Sequence, residues 1–450
     1  MSAAARGRRI AICATSALAL SVGVARAQTA SVTYPIDLPT ALRLAGAQNL
    51  DVQIALRAVD EAEADRLTAI EQFFPWLGLG ATYHRRDGFT QAVPAGTVSK
   101  TNLDSYAPGG TLTAQVALGD ALYNTLAARQ RVRASDQALE AQRQESTLQA
   151  AQGYLELAKA RALVDVARQA LETSQDYQNQ LHEAVAVGVA FKGDELRVET
   201  QSGLYRIAVR QALEAQCAAA ASLAQILHLD PVVELVPQDT EVVPLALFEI
   251  DTSPEAVVQR ALSARPELKQ SRALVDAARE GRDGALLGPL IPSLGAQAFV
   301  GGFGGGHDGE PSHFGESEDY LVGVSWRIGP GGLFDLGRVD ASDARLATLE
   351  LGEAKLKDAI SAEAVTSLSR AQSLSDQLEV AKQNLTTAGK TLDLTRRRKH
   401  FGVGIVLEDI QAQQALNQAR ADYVTKVAEF DEAQYGLIRA VGGPLAPQQP

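Results

Sequence analysis

Residues 131–139, which read Arg-Val-Arg-Ala-Ser-Asp-Gln-Ala-Leu, return at residues 338–346 as Arg-Val-Asp-Ala-Ser-Asp-Ala-Arg-Leu, an offset of 207. Residues 166–173, Val-Ala-Arg-Gln-Ala-Leu-Glu-Thr, return at residues 380–387 as Val-Ala-Lys-Gln-Asn-Leu-Thr-Thr, an offset of 214. Because the offsets differ by one heptad, the apolar stripe faces the same way beyond the insertion. The sequence therefore predicts a tandem duplication, with structural repeats over residues 28–235 and 236–450.

The first 27 residues have the composition of a secretory signal peptide. Arginines precede an apolar run from Ile10 to Val24, which closes with Ala25-Arg-Ala27. We expect no lipid anchor at Cys13, because Ile12 is too large for the position before a lipoprotein cysteine. Removing four arginines shifts the formal net charge from −12 to −16, so nucleic acid is not expected as a partner.

Long heptad repeats follow, with small residues at alternate seam positions. Two helices are predicted from about Leu122 to Val187 and from about Leu336 to Phe401. Sixty-six residues at 1.5 Å per residue give roughly 99 Å. The predicted flanking helices run from about Pro39 to Gln72, Asp194 to His228, Pro254 to Leu287 and Asp409 to Val441, with a break at Pro266. Short helices stacked in pairs would match the long ones, which predicts four columns.

Four segments alternate between apolar and polar residues as membrane-crossing strands do. They are Trp76 to Arg85, Thr111 to Leu118, Ser293 to Val300 and Tyr320 to Ile328. The Gly-rich stretches Gly88 to Pro108 and Gly301 to Asp319 are expected to be surface loops. No apolar run long enough for a transmembrane helix follows the signal peptide, so we expect any membrane insertion to use these strands. Four strands cannot close a barrel alone, whereas three copies supply twelve and leave a lumen.

The mature chain resembles the TolC family of outer-membrane efflux proteins. The resemblance rests on the duplicated order of elements, on Ala41-Leu-Arg-Leu-Ala45, on Arg265-Pro-Glu-Leu268 and on the junction Ile328 to Asp335. It implies a mainly α protein with a membrane β-barrel, in which a homotrimer forms a 12-stranded barrel and a periplasmic α-barrel. It further implies location in the outer-membrane lipid with a large periplasmic part, and docking to a periplasmic adaptor (membrane fusion) protein and an inner-membrane pump.

The turns Val187 to Asp194 and Phe401 to Glu408 would then be the periplasmic tips. The resemblance implies that their residues Gly188, Val189, Gly402 and Val403 contact the adaptor. Plain glycine turns at helix ends would explain the same residues.

In similar proteins, acidic residues after the second tip narrow the pore. The corresponding candidates here are Glu408, Asp409 and Asp194, although Gln411 occupies the second ring position. The alternative is that these acids favour helix N-termini. Gly404 replaces the basic tip residue of the family, so an ion-pair lock would have to use residues 396–399.

We predict no catalysis and no cofactor, because no nucleophile motif, metalloprotease spacing or phosphate loop is present. The stretch from His307 to Asp319 carries histidines and acids that suit either a divalent cation or a solvated loop. Passive conduction within a tripartite export system is the leading hypothesis. The alternative is a periplasm-spanning structural or adhesive coiled coil without a lumen, and the sequence does not identify the cargo.

Overall fold

A computed structural model describes residues 33–91, 96–230, 232–239, 242–307, 313–400 and 405–444. The predicted signal peptide, with the tip residues Gly402 and Val403, lies outside these ranges. No helix among the described residues is both long enough and apolar enough to cross a membrane.

The two halves of the chain repeat one order of elements. The first contains β1 (Thr33–Ile36), α1 (Leu38–Gln48), α2 (Leu50–Glu71), β2 (Trp76–Gln91), β3 (Val98–Ala117), α3 (Leu118–Ala186) and α4 (Lys192–Ile226). The second contains β4 (Glu234–Pro237), α5 (Pro254–Ala264), α6 (Pro266–Leu286), a 3-10 turn (Gly288–Leu290), β5 (Ser293–His307), β6 (His313–Ser325), α7 (Leu336–His400) and α8 (Val406–Ala440). The 69 residues of α3 extend over about 104 Å.

The prediction of one continuous helix from Pro39 to Gln72 was wrong, because Asn49 separates α1 from α2. Its side-chain oxygen accepts a hydrogen bond of 2.8 Å from the Asp51 N–H and caps α2. Its amide nitrogen donates to the Ile226 carbonyl at 3.0 Å, which fixes the break against α4. In the second half, the predicted break at Pro266 is confirmed.

The strands are longer than the sequence suggested. β2, β3, β5 and β6 form an antiparallel sheet in that order, with β2 and β6 at its edges. The predicted surface loops over Gly88 to Pro108 and Gly301 to Asp319 were wrong in large part, because backbone pairing continues through most of both segments. Glycine and polar residues there suggested turns, but ladder hydrogen bonds to neighbouring strands outweigh weak strand propensity.

Residues directly opposite in the register share one face of the sheet, so its two faces can be assigned. The apolar face carries Leu77, Leu79, Leu112, Val116, Leu294, Val300, Val322 and Val324. The polar face carries Gly78, Gly80, Gly109, Thr111, Thr113, Gln115, Gly295, Gln297 and Ser317.

A second sheet was not predicted. β1 and β4 pair in parallel and join the starts of the two halves. The boundary proposed between residues 235 and 236 lies inside β4. The Tyr154 hydroxyl donates to Asp239 at 2.5 Å, which ties α3 to the segment after β4. Strands this short do not show a clear period-two pattern, so this pair could not be predicted from the sequence.

The helices form an ordered layer of four columns. α3 packs against α2 and α4 on one side and against α6 and α8 on the other. α7 packs against α6 and α8 and lies at one end of the layer. The column of α2 and α4 therefore forms one edge of the protomer, and α7 forms the other.

An ion-pair network around the buried Arg265 links the start of α6 and the end of α8 to the middle of α3 and α7. Arg265, whose side chain is 3% exposed, contacts Glu267 at 2.8 Å and Glu363 at 2.5 Å. Arg439 near the end of α8 contacts Glu363 at 2.6 Å and both Glu145 and Glu267 at 3.1 Å. Two guanidinium groups thus share three carboxylates from α3, α6 and α7, which compensates the desolvation of Arg265.

Candidate functional site

The first predicted tip, the turn between α3 and α4, begins with a helix end that requires glycine. After α3, Gly188 adopts a φ of +81°, a conformation that side chains disfavour. The Val189 N–H donates back to the Ala184 carbonyl at 2.9 Å, in the pattern of a Schellman motif. This geometry leaves Val187, Val189 and Phe191 at least 74% exposed. The turn therefore presents three large apolar side chains to its surroundings.

Acidic residues start α4, where the helix dipole favours them. Asp194 pairs with Arg197 at 3.1 Å. Glu195 accepts from His182 at 2.9 Å and pairs with Lys192 at 2.7 Å. The hydrogen bond with His182 and that from Lys192 lower the pKa of Glu195. Local pairing thus satisfies both carboxylates within the first hairpin.

The two acids that begin α8 lie in different environments. Glu408 pairs with Arg398 at 3.4 Å and its side chain is 38% exposed. Asp409 lies 4.0 Å from the Arg396 guanidinium, and its side chain is 10% exposed. Arg396 and Arg398, both within the basic stretch expected to replace the missing tip cation, therefore pair with the candidate acids.

Asp409 and Tyr177 of α3 both line a groove of about 700 Å³. Burial, followed by the charges of Asp409 and Asp194, raises the pKa of the Tyr177 hydroxyl. The charges of Asp194 in the first half and Asp409 in the second half thus both influence the Tyr177 hydroxyl. Asp194 itself pairs with Arg197, and Glu408 pairs with Arg398, so Asp409 is the one of the three candidate acids that lines the groove.

Further contacts tie α8 to α3 and α4 along this region. Asn417 donates to the Tyr205 hydroxyl at 3.0 Å, and Gln414 donates to Gln201 at 2.6 Å. Leu181, Val198 and Ile410 form an apolar cluster beside them. Tyr177, Tyr205 and Gln201 could not be identified from the sequence, because a polar residue on a helix surface carries no pattern that indicates its partner in another helix.

The stretch from His307 to Asp319 lies partly outside the described residues. Within the described part of the chain, no group of three or more His, Cys, Asp or Glu side chains has an arrangement that could hold a metal ion.

Comparison with known proteins gives one family. The model of the family described as outer membrane efflux protein matches residues 41–227 and 257–443. No curated protein matches the chain significantly.

Several solved structures share the fold at low sequence identity. A Pseudomonas aeruginosa membrane protein aligns with a TM-score of 0.76 and 19% identity over 92% of each chain. The Campylobacter jejuni outer membrane channel CmeC aligns with a TM-score of 0.74 and 16% identity, over 90% of this chain and 85% of CmeC. The Vibrio cholerae outer membrane protein VceC aligns with a TM-score of 0.74 and 16% identity, over 91% of this chain and 96% of VceC.

These structures confirm the expected mainly helical TolC-like fold with four antiparallel strands. Because the family model covers most of both halves, the chain belongs to the outer membrane efflux protein family, the non-enzymatic outer-membrane channels of tripartite efflux systems.

Proposed function

We propose that three copies of the chain form one conducting duct, with a 12-stranded barrel in the outer membrane and a helical barrel in the periplasm. The proposal rests on one observation: the unpaired edges of the sheet and the edges of the helical layer belong to the same two sides of the protomer. β2 and β6 are the sheet edges, and the helices beside them, α2 and α7, are the edges of the helical layer. One rotation that pairs β6 with β2 of the next copy also places α7 beside its α2 and α4. Such a head-to-tail interface closes into a ring.

Apolar residues at both edges support this packing. α7 exposes a stripe of apolar residues away from its own partners: Ala344, Ala347, Leu351, Ala354 and Val365. On the opposite edge, Ile54 and Leu67 of α2 and Leu204 and Ile207 of α4 are more than half exposed. Single exposed leucines are common, but exposed apolar residues that recur along one helix over about 32 Å favour burial by a partner.

Charge substitutions at the edges test the assembly. Leu351→Glu and Ile207→Glu should each convert detergent-solubilised trimer to monomer, since a carboxylate in the interface loses hydration without gaining a partner. Val232→Glu is the matched control, because Val232 is 79% exposed in a turn outside both edges. Light scattering with detergent correction gives the mass. Monomeric wild type, or edge variants that remain trimeric, would contradict the proposed interface.

Membrane lipid would contact the apolar face of the sheet, and the polar face would line the lumen. Every backbone N–H and C=O in the lipid region needs a partner, and closure of the twelve strands supplies one at each edge. Discrete current steps from purified trimer in a planar bilayer are expected. A periplasm-spanning coiled coil without a lumen would give none.

Glu408 is the proposed constriction residue, because its side chain is the most exposed of the three candidates: 38%, against 27% for Asp194 and 10% for Asp409. Three carboxylates around a narrow axis attract cations. Glu408→Gln should therefore lower the cation-to-anion permeability ratio, measured as the reversal potential in a salt gradient. Asp60→Asn on α2 is the control, and an equal loss in both variants would rule out a local role for Glu408.

The tips would contact the periplasmic adaptor, which links the duct to an inner-membrane pump. The exposed Val187, Val189 and Phe191 support this role for the first tip, together with Gly188, which shapes the turn. Gly402 and Val403 are the proposed contacts at the second tip.

A further inference from the structure

The Phe299 side chain on β5 packs against the polar face of the sheet. A Cβ atom added at Gly109 would lie 2.7 Å from Cε2 of the Phe299 ring, and one added at Gly301 would lie 2.9 Å from its Cζ. The ring therefore covers the backbone of two glycines that are themselves paired across β3 and β5. A side chain at Gly109 would displace the ring, and one at Gly301 would also clash with the backbone of β3. Phe299 remains partly exposed at this position.

A carboxylate projects from the same face on the neighbouring strand β6. Asp319 on β6 is the register partner of Phe299, and cross-strand partners have Cβ atoms about 5 Å apart. Asp319 is exposed, and no hydrogen bond or ion pair among the described residues engages its carboxylate. A partly exposed aromatic ring and an exposed carboxylate thus project from register-paired positions of one face.

Few other side chains project from this part of the polar face. The next row of the polar face reads Gly80, Gly109, Gly301 and Ser317 across the four strands. From the row of Trp76 to the row of Thr82, all described, Asp319 is the one charged residue of this face. Arg86 lies eight residues along from the Gly78 row, about 26 Å away. That distance exceeds the Debye length of about 8 Å at physiological salt, so Arg86 does not neutralise Asp319.

We propose that Phe299 and Asp319 form a luminal binding site for organic cations that carry apolar or aromatic groups. The carboxylate attracts the positive charge, and the quadrupole of the ring face binds the poorly hydrated cationic group. A small inorganic cation would gain only the carboxylate, and a neutral aromatic solute only the ring. The site rests on the proposed function, since the trimer places three copies of it around one lumen.

Binding can be measured with or without conduction. Benzyltrimethylammonium is the probe, with tetramethylammonium and benzyl alcohol as comparison solutes. Titration calorimetry on purified trimer should show one benzyltrimethylammonium per chain, bound more tightly than either comparison solute. In a planar bilayer, the same probe should reduce the single-channel conductance in a graded manner.

Variants on the polar and apolar faces of the β5–β6 hairpin distinguish loss of the binding site from a general effect on the protein. Phe299→Leu and Asp319→Asn should each weaken benzyltrimethylammonium binding by about 2–5-fold, the range that one cation–π or exposed ion-pair contact contributes. Phe314→Leu and Glu316→Gln are the matched controls, because both residues lie on the apolar face of β6, the strand that carries Asp319. These controls should bind the probe as the wild type does.

Equal binding of all three solutes, or equal weakening in the site and control variants, would overturn the proposed site. The failure of the proposed function has a different signature. In that case the wild type gives no current steps, whereas calorimetry still reports on the ring and the carboxylate. Current steps without selective binding would contradict only the luminal site.

Discussion

At the scale of single residues, Asp431 on α8 is a carboxyl group enclosed by the protein. It is 1% exposed, and it accepts a hydrogen bond of 2.7 Å from the Leu245 N–H. Gln434, one turn later, accepts from the Phe248 N–H at 2.9 Å. These two side chains hold the segment that joins the two halves. Burial, with a smaller effect of neighbouring Glu432, raises the pKa of Asp431 to about 7.

Asp431→Asn should therefore stabilise the protein at high pH. Because the folded-state pKa lies above the unfolded value of about 3.9, the native state binds more protons between these values, and the free energy of unfolding falls as pH rises from about 4 to about 7. Asparagine keeps an oxygen for Leu245 and lacks this titration. Its stability advantage should grow by on the order of 2 kcal/mol between pH 4 and pH 8.

Denaturant unfolding of the detergent-solubilised protein at pH 4, 6 and 8 measures this advantage. The control is Gln434→Ala, which removes the neighbouring hydrogen bond without a titratable group and should cost the same at each pH. An Asp431→Asn advantage that is constant with pH would show that burial does not control this carboxyl.

At the scale of elements, the joint between sheet and helices depends on one close approach. A Cβ atom at Gly119, in the first turn of α3, would lie 2.0 Å from the Gly288 carbonyl oxygen in the 3-10 turn before β5. Arg338 and Asp120 pair at 2.6 Å beside it and join the starts of α7 and α3. The two backbones are thus in direct contact, without an intervening side chain, at the junction between the strands and the helices.

Gly119→Ala should lower the free energy of unfolding by about 1–3 kcal/mol, because the added methyl group forces α3 away from the turn. Gly281→Ala in α6 is the matched variant, since a Cβ there meets nothing within 4 Å. It should raise stability by about 0.5–1 kcal/mol through helix propensity. Denaturant unfolding measures the free energy of unfolding of both variants. Equal effects would contradict the role of close packing at Gly119.

At the scale of the whole molecule, the two hairpins α3–α4 and α7–α8 are joined near their turns through Asp409. Arg396 approaches it from α7 and Tyr177 from α3, and Asn417 adds a bond to Tyr205. If the proposed constriction lies at these turns, the contacts limit how far α7 and α8 can move from α3 and α4.

Arg396→Ser combined with Tyr177→Phe should therefore increase single-channel conductance, since Asp409 loses both partners and the hairpins separate more readily. The control is Arg57→Ser, which removes an exposed pair with Asp60 on α2. Planar-bilayer recordings at one voltage compare the three proteins. Unchanged conductance in the double variant would place the limiting constriction elsewhere.

The sequence alone determined which segments form helices and strands, and in what order. Heptad spacing, period-two alternation and duplicated motifs are local patterns, so they predicted the long helices, the break at Pro266 and the four strands of one sheet. Their bounds were less accurate. The continuation of β2 and β3 through Gly88 to Pro108 depends on neighbouring strands, as does the β1–β4 pair.

Only the tertiary structure decided which side chains from distant segments meet. Asp409 is one of two adjacent acids in the sequence, yet packing buries it against Tyr177 and leaves Glu408 exposed. Phe299 and Asp319 are twenty positions apart, and register alone makes them neighbours. Contacts of this kind depend on helix packing and strand register, which are set by the summed burial of many apolar residues and are not encoded at the site itself.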